Sequence, residues 1–464
     1  MPPPHSGVEL ASKLFGFLKE WGFEKKVFSL TLDNASSNDN MQGILKERLS
    51  LHDSLLCDGE FFHVRCSAHI LNLIIQEGLK IASVALNKIR ESVKYVKGSE
   101  GRMRKFEECV RAVGNIDSGI GLRLDVPTRW NSTYLMLDSA IKYKKTFCSL
   151  QLNDNNYKYC PSIEEWKRGE KICEFLEPFY DTTNLISGSS YPTSNLYVMQ
   201  VWKIEVWLNE NLSNEDLVVS DMCKRMKEKS GKYWNQYSVV LAFGAILDPR
   251  INLSMLEFCY SKLDGDPIKC QEKVLIVKTK LYKLFEKYSN TNQTTSSQPR
   301  SSSVIISHTQ SGGEIKNKGK RIYDEIMAYE SQTIRSVGKS ELDLYLEEPK
   351  LEFVYYQNLD ILEHWKNHKH RFPSLSLMAC DILSISITTV ASESTFSIGA
   401  HVLTKYRSRI LPEKCKLLFA CVTGCVVMFM MQTMMNVQIS KQLHPEKDLM
   451  LLKFLMKKQW RELL

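Results

Sequence analysis

Two short stretches of this chain carry the residue types that phosphodiester chemistry needs. Near the start, Phe28-Ser-Leu-Thr-Leu-Asp33-Asn34-Ala-Ser-Ser-Asn38-Asp39 ends a β-prone run on a carboxylate. Near the end, Thr388-Thr-Val-Ala-Ser-Glu393-Ser-Thr-Phe396-Ser sets one acidic residue in an apolar, hydroxyl-rich segment. The cations of Lys405-Tyr-Arg407-Ser-Arg409 follow it, able to hold a phosphate backbone. Two-metal transfer at phosphorus gathers several carboxylates around two Mg²⁺ ions about 3.5–4 Å apart, and Mg²⁺ takes oxygen ligands. An aspartate at a strand's C-terminal end suits this, because ligands of open α/β sheets bind at that edge. Asp33 equally suits a turn or a helix N-cap, where Asp and Asn are favoured. Glu393 is either a surface glutamate or, on a half-buried segment, one that requires a cation or metal partner. Two corners of a site are legible; the third is missing.

Other groupings are weaker. His63, Cys66 and His69 form His-x-x-Cys-x-x-His, but zinc takes about four ligands and no second pair stands at finger-like spacing. A strand-to-helix junction there would also point the three side chains apart. His364, His368 and His370 surround Trp365 without a His-Glu-x-x-His frame and read as a partly exposed helix face. For nucleic acid, Lys88, Arg90, Lys94, Lys97, Arg102, Arg104 and Lys105 form the densest basic stretch, interleaved with Tyr95 and Phe106. Arg129 beside Trp130 adds a cation next to a ring that could stack on a base. A solvated helix face with a core tryptophan has the same pattern.

The elements that must position these residues follow from periodicity. Val8 to Trp21 has apolar residues at helical spacing and stops at Gly22. Val27 to Leu32 reads as a strand ending at Asp33-Asn34, Asn38 to Leu51 as a helix, and Phe61 to Cys66 as a second strand. An apolar helix from Ala68 to Leu79 comes next, so the order predicts parallel strands with a helical crossover. Two strands make a poor sheet, so other elements are expected beside them. Ile81 to Lys287 is mainly helical, with aromatics spaced as core. Asn290 to Gly313 reads as a polar linker. Lys316-Asn-Lys318-Gly-Lys320-Arg321 after it suits a nuclear import patch, a phosphate contact or a solvated charge run. Helical character returns around Phe353–His370 and Leu383–Leu403.

With 464 residues the chain can bury a core shared by two or three domains. Its formal charge of +8 allows a polyanionic partner without demanding one. Thirteen cysteines without a Cys-x-x-Cys pair, behind a polar, Pro-rich opening, point to reduced thiols in the cytosol or nucleus. The apolar run Leu417 to Met431 is shorter than the roughly 18–20 residues that span a bilayer, so no membrane partner is expected.

Taken together, the segments resemble the hAT superfamily of DNA transposases in its plant form, from about Pro4 to Glu413. Asp33-Asn-Ala-Ser-Ser-Asn-Asp39 is similar to the segment with the family's second catalytic aspartate, and Cys66-Ser-Ala-His69 to its structural Cys-x-x-His element. Thr128-Arg-Trp130-Asn resembles its Arg-Trp motif. Ser340-Glu-Leu-Asp-Leu-Tyr345, Trp365-Lys and Arg371-Phe-Pro373 resemble the opening of its C-terminal dimerisation region. Ala391-Ser392-Glu393-Ser-Thr-Phe396-Ser resembles the helix with its third acidic residue, although Ile398-Gly399-Ala400 replaces the family's glycine pair.

The resemblance implies an α/β, mostly helical protein. It divides into an incomplete ribonuclease-H-like core over 1–130, a helical insertion over 131–288, a flexible basic linker over 289–339, a dimerisation region over 340–413 and a divergent tail over 414–464. Asp33 and Glu393 would be vestigial catalytic carboxylates and Mg²⁺ ligands, since the family's first aspartate and its BED zinc finger lie upstream of matching sequence. No cofactor is then expected, with Mg²⁺ entering only if a partner chain completes the site. The expected function is a nuclear protein that binds DNA and forms homodimers or heterodimers with relatives, without transposition activity. DNA contacts would come from Lys94, Lys97, Arg102, Arg104, Lys105, Arg129, Trp130, Arg407 and Arg409. The alternatives are a transposase subunit that cuts DNA with a partner chain, and a DNA-free interaction protein.

Overall fold

The structure, a computed structural model, describes residues 6–52, 54–114, 121–234, 239–263, 266–296 and 339–394. Arg407, Arg409, the 316–321 basic run and the 414–464 tail lie outside these residues.

Helix α1 (Gly7–Glu20) starts where the Ser6 hydroxyl accepts from the Glu9 amide, and it packs on α2 (Ser36–Ser50). A Cβ at Gly7 would stand 2.8–2.9 Å from Asn40, Met41 and Ser37, so only glycine permits this crossing. Between the helices runs β1 (Leu30–Leu32), which pairs in parallel with β2 (His63–Arg65) in the register Leu30↔His63 to Leu32↔Arg65. Both strands are shorter than the runs that predict them, but the parallel order is as expected. Phe62 belongs to the small core of α1 and α2, and Val64 to a larger core.

Beyond β2 the protein is helical. Helix α3 (Ser67–Lys97) is followed by α4 (Glu100–Val113), α5 (Trp130–Lys142), α6 (Lys144–Asn153), α7 (Ile163–Ile186), α8 (Tyr197–Asn211) and α9 (Leu217–Trp234). Apolar faces of α3 to α9 build one core that includes Trp130, Phe147, Trp166 and Phe179. The second large core joins α8, α10 (Val239–Ile246), α11 (Asn252–Leu263) and α12 (Pro267–Ser296) to the C-terminal segment. Helix α12 continues to Ser296, into the stretch expected as linker. Glu60 anchors α12 to the strands through Lys280 at 2.9 Å and Lys283 at 2.8 Å.

The C-terminal segment contributes α13 (Glu341–Glu347), α14 (Ile361–Asn367) and α15 (Pro373–Leu383). Ser340 and Asp343 form a capping box on α13, and Glu341 accepts the Ser374 and Leu375 amides at the start of α15. Residues 353–360 are not helical, contrary to the helix expected from Phe353. The cause lies in a buried ion pair. Asp248 takes both forks of Arg250, at 3.0 and 2.8 Å, and the Asn195 amide at 2.9 Å. The remaining guanidinium nitrogen donates to the Tyr356 and Gln357 carbonyls, each at 3.2 Å, which an α-helix would need for itself. Trp365 donates to the Leu247 carbonyl at 2.8 Å and Tyr345 to that of Ile246 at 2.9 Å, so the segment is fastened to the end of α10.

Candidate nucleic-acid site at the strand edge

The C-terminal edge of the two strands is where chain segments more than 300 residues apart meet. Asp33 directly follows β1; its Oδ1 accepts the Ala35 amide at 3.0 Å and the Asn38 side-chain amide at 2.6 Å. This is the turn-forming role open to an aspartate here. Cys66 directly follows β2, and its amide donates to the Leu32 carbonyl at 2.7 Å.

Residues 386–389 lie across both strands. Thr31 Oγ1 donates to the Ser386 carbonyl at 2.6 Å, and the Ser67 amide to that of Ile387 at 2.8 Å. The Thr389 amide donates to Cys66 Sγ at 3.2 Å, with the Thr389 hydroxyl at the same distance from the sulfur, so the buried cysteine anchors the returning segment. Residues 390–394 then turn helical, and Glu393 Oε1 accepts the Thr389 hydroxyl at 3.0 Å. Glu393 is thereby tied to the edge that carries Asp33, and it is exposed. Among the described residues its partner is a hydroxyl and not a cation, and its exposure corrects the expectation of a half-buried carboxylate.

Arg65 closes the same edge and was not singled out from sequence. It stands at the end of β2, half-buried, with Nη2 3.5 Å from Asp39 in the first turn of α2. Its signal was there: a cation in the last position of a strand, directly before the cysteine. His63 and His69 are half-buried, and burial followed by the nearby Arg65 charge pushes His63 below its usual pKa. Cys66 spends its thiol on Thr389, so this trio is built into the strand–helix junction.

One oxygen of Asp33 takes two donors and Glu393 takes a hydroxyl; among the described residues no three His, Cys, Asp or Glu side chains converge as a ligand set.

The expected DNA-binding residues divide. Trp130 is 2% exposed inside the helical core, so it offers no ring to a base; the tryptophan belongs to packing. Arg129 beside it, at the start of α5, is exposed and makes no ion pair among the described residues. In the basic stretch, Lys88 pairs with Glu165, Lys94 with Glu91, and Arg104 with Glu100. Arg90 forks onto the buried Asp125, Lys97 donates to the Leu122 carbonyl, and Arg102 lies 4.1 Å over the Tyr95 ring. Lys105 stands 3.5 Å from Asp154. Three of these cations, Lys88, Arg90 and Lys105, are thus answered by carboxylates from elsewhere in the chain, and Lys94 and Arg104 by glutamates within the stretch.

Comparison with known proteins accounts for this plan. Successive parts match the ZBED1 RNase-like domain (1–61), the ZBED1 RNase-like helical domain (64–175), the hAT-like transposase RNase-H fold (195–288) and the hAT family C-terminal dimerisation region (341–421). The chain belongs to the hAT transposase-like family. It is 35% identical over 418 residues to zinc finger BED domain-containing protein RICESLEEPER 2 of Oryza sativa subsp. japonica, covering 88% of this chain and 57% of the relative. It is 34% identical over 414 residues to a putative AC transposase of Zea mays, covering 88% and 50%. Against zinc finger BED domain-containing protein DAYSLEEPER of Arabidopsis thaliana the figures are 31% over 410 residues, 88% and 56%. The chain therefore spans about half the length of the curated relatives it matches. The hAT dimerisation match runs to 421, past the boundary of 413 expected from sequence. No single described helix is long and apolar enough to cross a membrane, and Leu417 to Met431 lies outside the described residues.

Proposed function

We propose that these 464 residues form a transposase-derived nuclear protein that dimerises and holds DNA with little sequence preference, and that does not cut it unaided. The observation that carries the reading is the return of Glu393 to the strand end that bears Asp33. That edge is where an α/β sheet receives a ligand. With Arg65 it joins one cation to acidic groups, and the exposed Arg129 adds a second phosphate contact. The pairs Lys94–Glu91 and Arg104–Glu100 lie at the surface, where such bridges are weak. A phosphate can therefore take either cation at little cost. Two carboxylates bring too little charge to hold two divalent ions, so cleavage would need a group from elsewhere.

The test is fluorescence anisotropy of a labelled duplex with the whole chain. Affinity should fall at least ~10-fold between about 50 and 200 mM salt, as phosphate contacts require, and change little with sequence. Affinity that is flat in salt, or absent at low salt, removes the DNA-binding reading and leaves the dimerising protein.

A further inference from the structure

Within the hAT dimerisation match, the described residues expose large apolar side chains in one place, the consecutive Phe353, Val354, Tyr355 and Tyr356. Val354 is 74% and Tyr355 78% exposed, while Phe353 and Tyr356 are nearly half exposed. Trp365, Phe372 and Leu375 of the same region are buried in the second large core.

The loop is held in shape from behind. Arg250, fixed by the buried Asp248, donates to the Tyr356 and Gln357 carbonyls and lies 5.2 Å beneath the Phe353 ring. The Glu352 carbonyl accepts the Tyr355 and Tyr356 amides at 3.1 and 3.2 Å, and the Leu351 amide is bound to the Pro249 carbonyl at 2.8 Å. These bonds hold the loop's backbone from within the protein, which lowers the ordering entropy to be lost when the side chains are covered. The same loop borders an open hollow of about 390 Å³ lined by Val354, Tyr355, Tyr356, Gln357, Asn358 and Leu359.

We infer that Phe353–Tyr356 is the central contact between two copies of this chain. The inference rests on the dimerisation reading and adds the surface. A rigid knot of aromatic residues has the composition of an interface centre. A two-fold arrangement lets each copy offer both a projecting Tyr355 and a hollow beside it. At the exposures given, the four side chains supply roughly 400–500 Å². That is about half of the ~800 Å² per partner in a standard interface, so neighbouring residues form the rim.

The experiment is sedimentation equilibrium of the whole chain as wild type, as the double variant Val354→Ser/Tyr355→Ser, and as Leu152→Ser. Leu152 is an equally exposed apolar residue on α6, outside the dimerisation match. Serine leaves the backbone bonds to Arg250 in place, and circular dichroism with thermal melting checks that all three fold alike. A dimeric wild type, a dissociation constant raised at least ~30-fold in the double variant, and no change in Leu152→Ser are expected. If the double variant dimerises like wild type, the contact lies elsewhere and the dimerisation reading survives. A wild type that stays monomeric at the highest concentration overturns both. Cross-links from Tyr355→Cys that stay within one chain would show the loop covered by its own C-terminal segment, which also overturns the inference.

Discussion

Asp248 and Asp33 each follow the end of a regular element, and their surroundings differ in every respect that matters to a carboxylate. Asp248 is fully buried, and four hydrogen bonds from Arg250 and Asn195 occupy both its oxygens. Asp33 is half-buried and receives two bonds, both on Oδ1. The first is saturated, so it can only hold structure, and what it holds is the attachment of residues 349–360. The second has no hydrogen bond on Oδ2 among the described residues and stands at the strand edge, which is the condition for meeting a ligand. Sequence alone shows two aspartates beside turn formers. The number of donors and the access of water separate a structural carboxylate from one available for binding.

Mutations can break or sharpen this contrast. Arg250→Ala has the largest expected effect, because it leaves Asp248 buried without its cation; about 3–5 kcal/mol of stability should be lost in chemical denaturation. Asp33→Asn should change stability by less than about 0.5 kcal/mol, since the amide keeps an oxygen for Ala35 and Asn38. Equal costs for the two variants would end the distinction. Arg90→Ala comes second. It removes a two-pronged bond to Asp125, whose side chain is almost inaccessible, and about 2 kcal/mol should go with it. Hydrogen exchange should then rise in residues 121–129, which Asp125 helps to fix.

The third effect depends on pH. Burial, and after it the stacked His368 ring 4.1 Å away, push His364 down to about 4 from the usual 6.5. The unfolded chain therefore takes up the proton more readily than the folded one. Stability from this group is complete above pH ~6.5 and is lost as the pH falls toward 4. Because the ring is half exposed, the loss should be only about 1 kcal/mol. Thermal melts at pH 7 and 4.5 should show it, and His364→Gln should remove that part of the difference. Arg129→Ala is the smallest for stability, within about 0.5 kcal/mol, yet it should weaken DNA binding several-fold at low salt. A large loss of stability with unchanged DNA affinity would assign Arg129 to structure.

Much of the frame was readable from residue order. Helix α1, the β-prone run into Asp33 and the parallel pairing all follow from local pattern. What stayed hidden depends on partners distant in the chain. Trp130 next to Arg129 looks the same whether its ring is offered to a base or sunk among α3 and α7; only the packing of α5 decides. The basic stretch looked more positive than it is, since Asp125, Asp154 and Glu165 come from 35 to 77 residues away. Phe353–Asp360 carries apolar residues that suit a helix, but Arg250, 106 residues from Tyr356, takes its carbonyls. The tether of Glu393 through Thr389 to Cys66 was not legible, because nothing local in either segment announces the other.

The most direct test places labelled duplex DNA with the whole chain in Mg²⁺ buffer at low salt and follows retention and DNA length on gels. A protein that holds DNA at an edge with two carboxylates should retain the duplex and leave it at full length. Cleavage products that disappear in Asp33→Asn and Glu393→Gln would contradict this, showing a working catalytic site in these 464 residues.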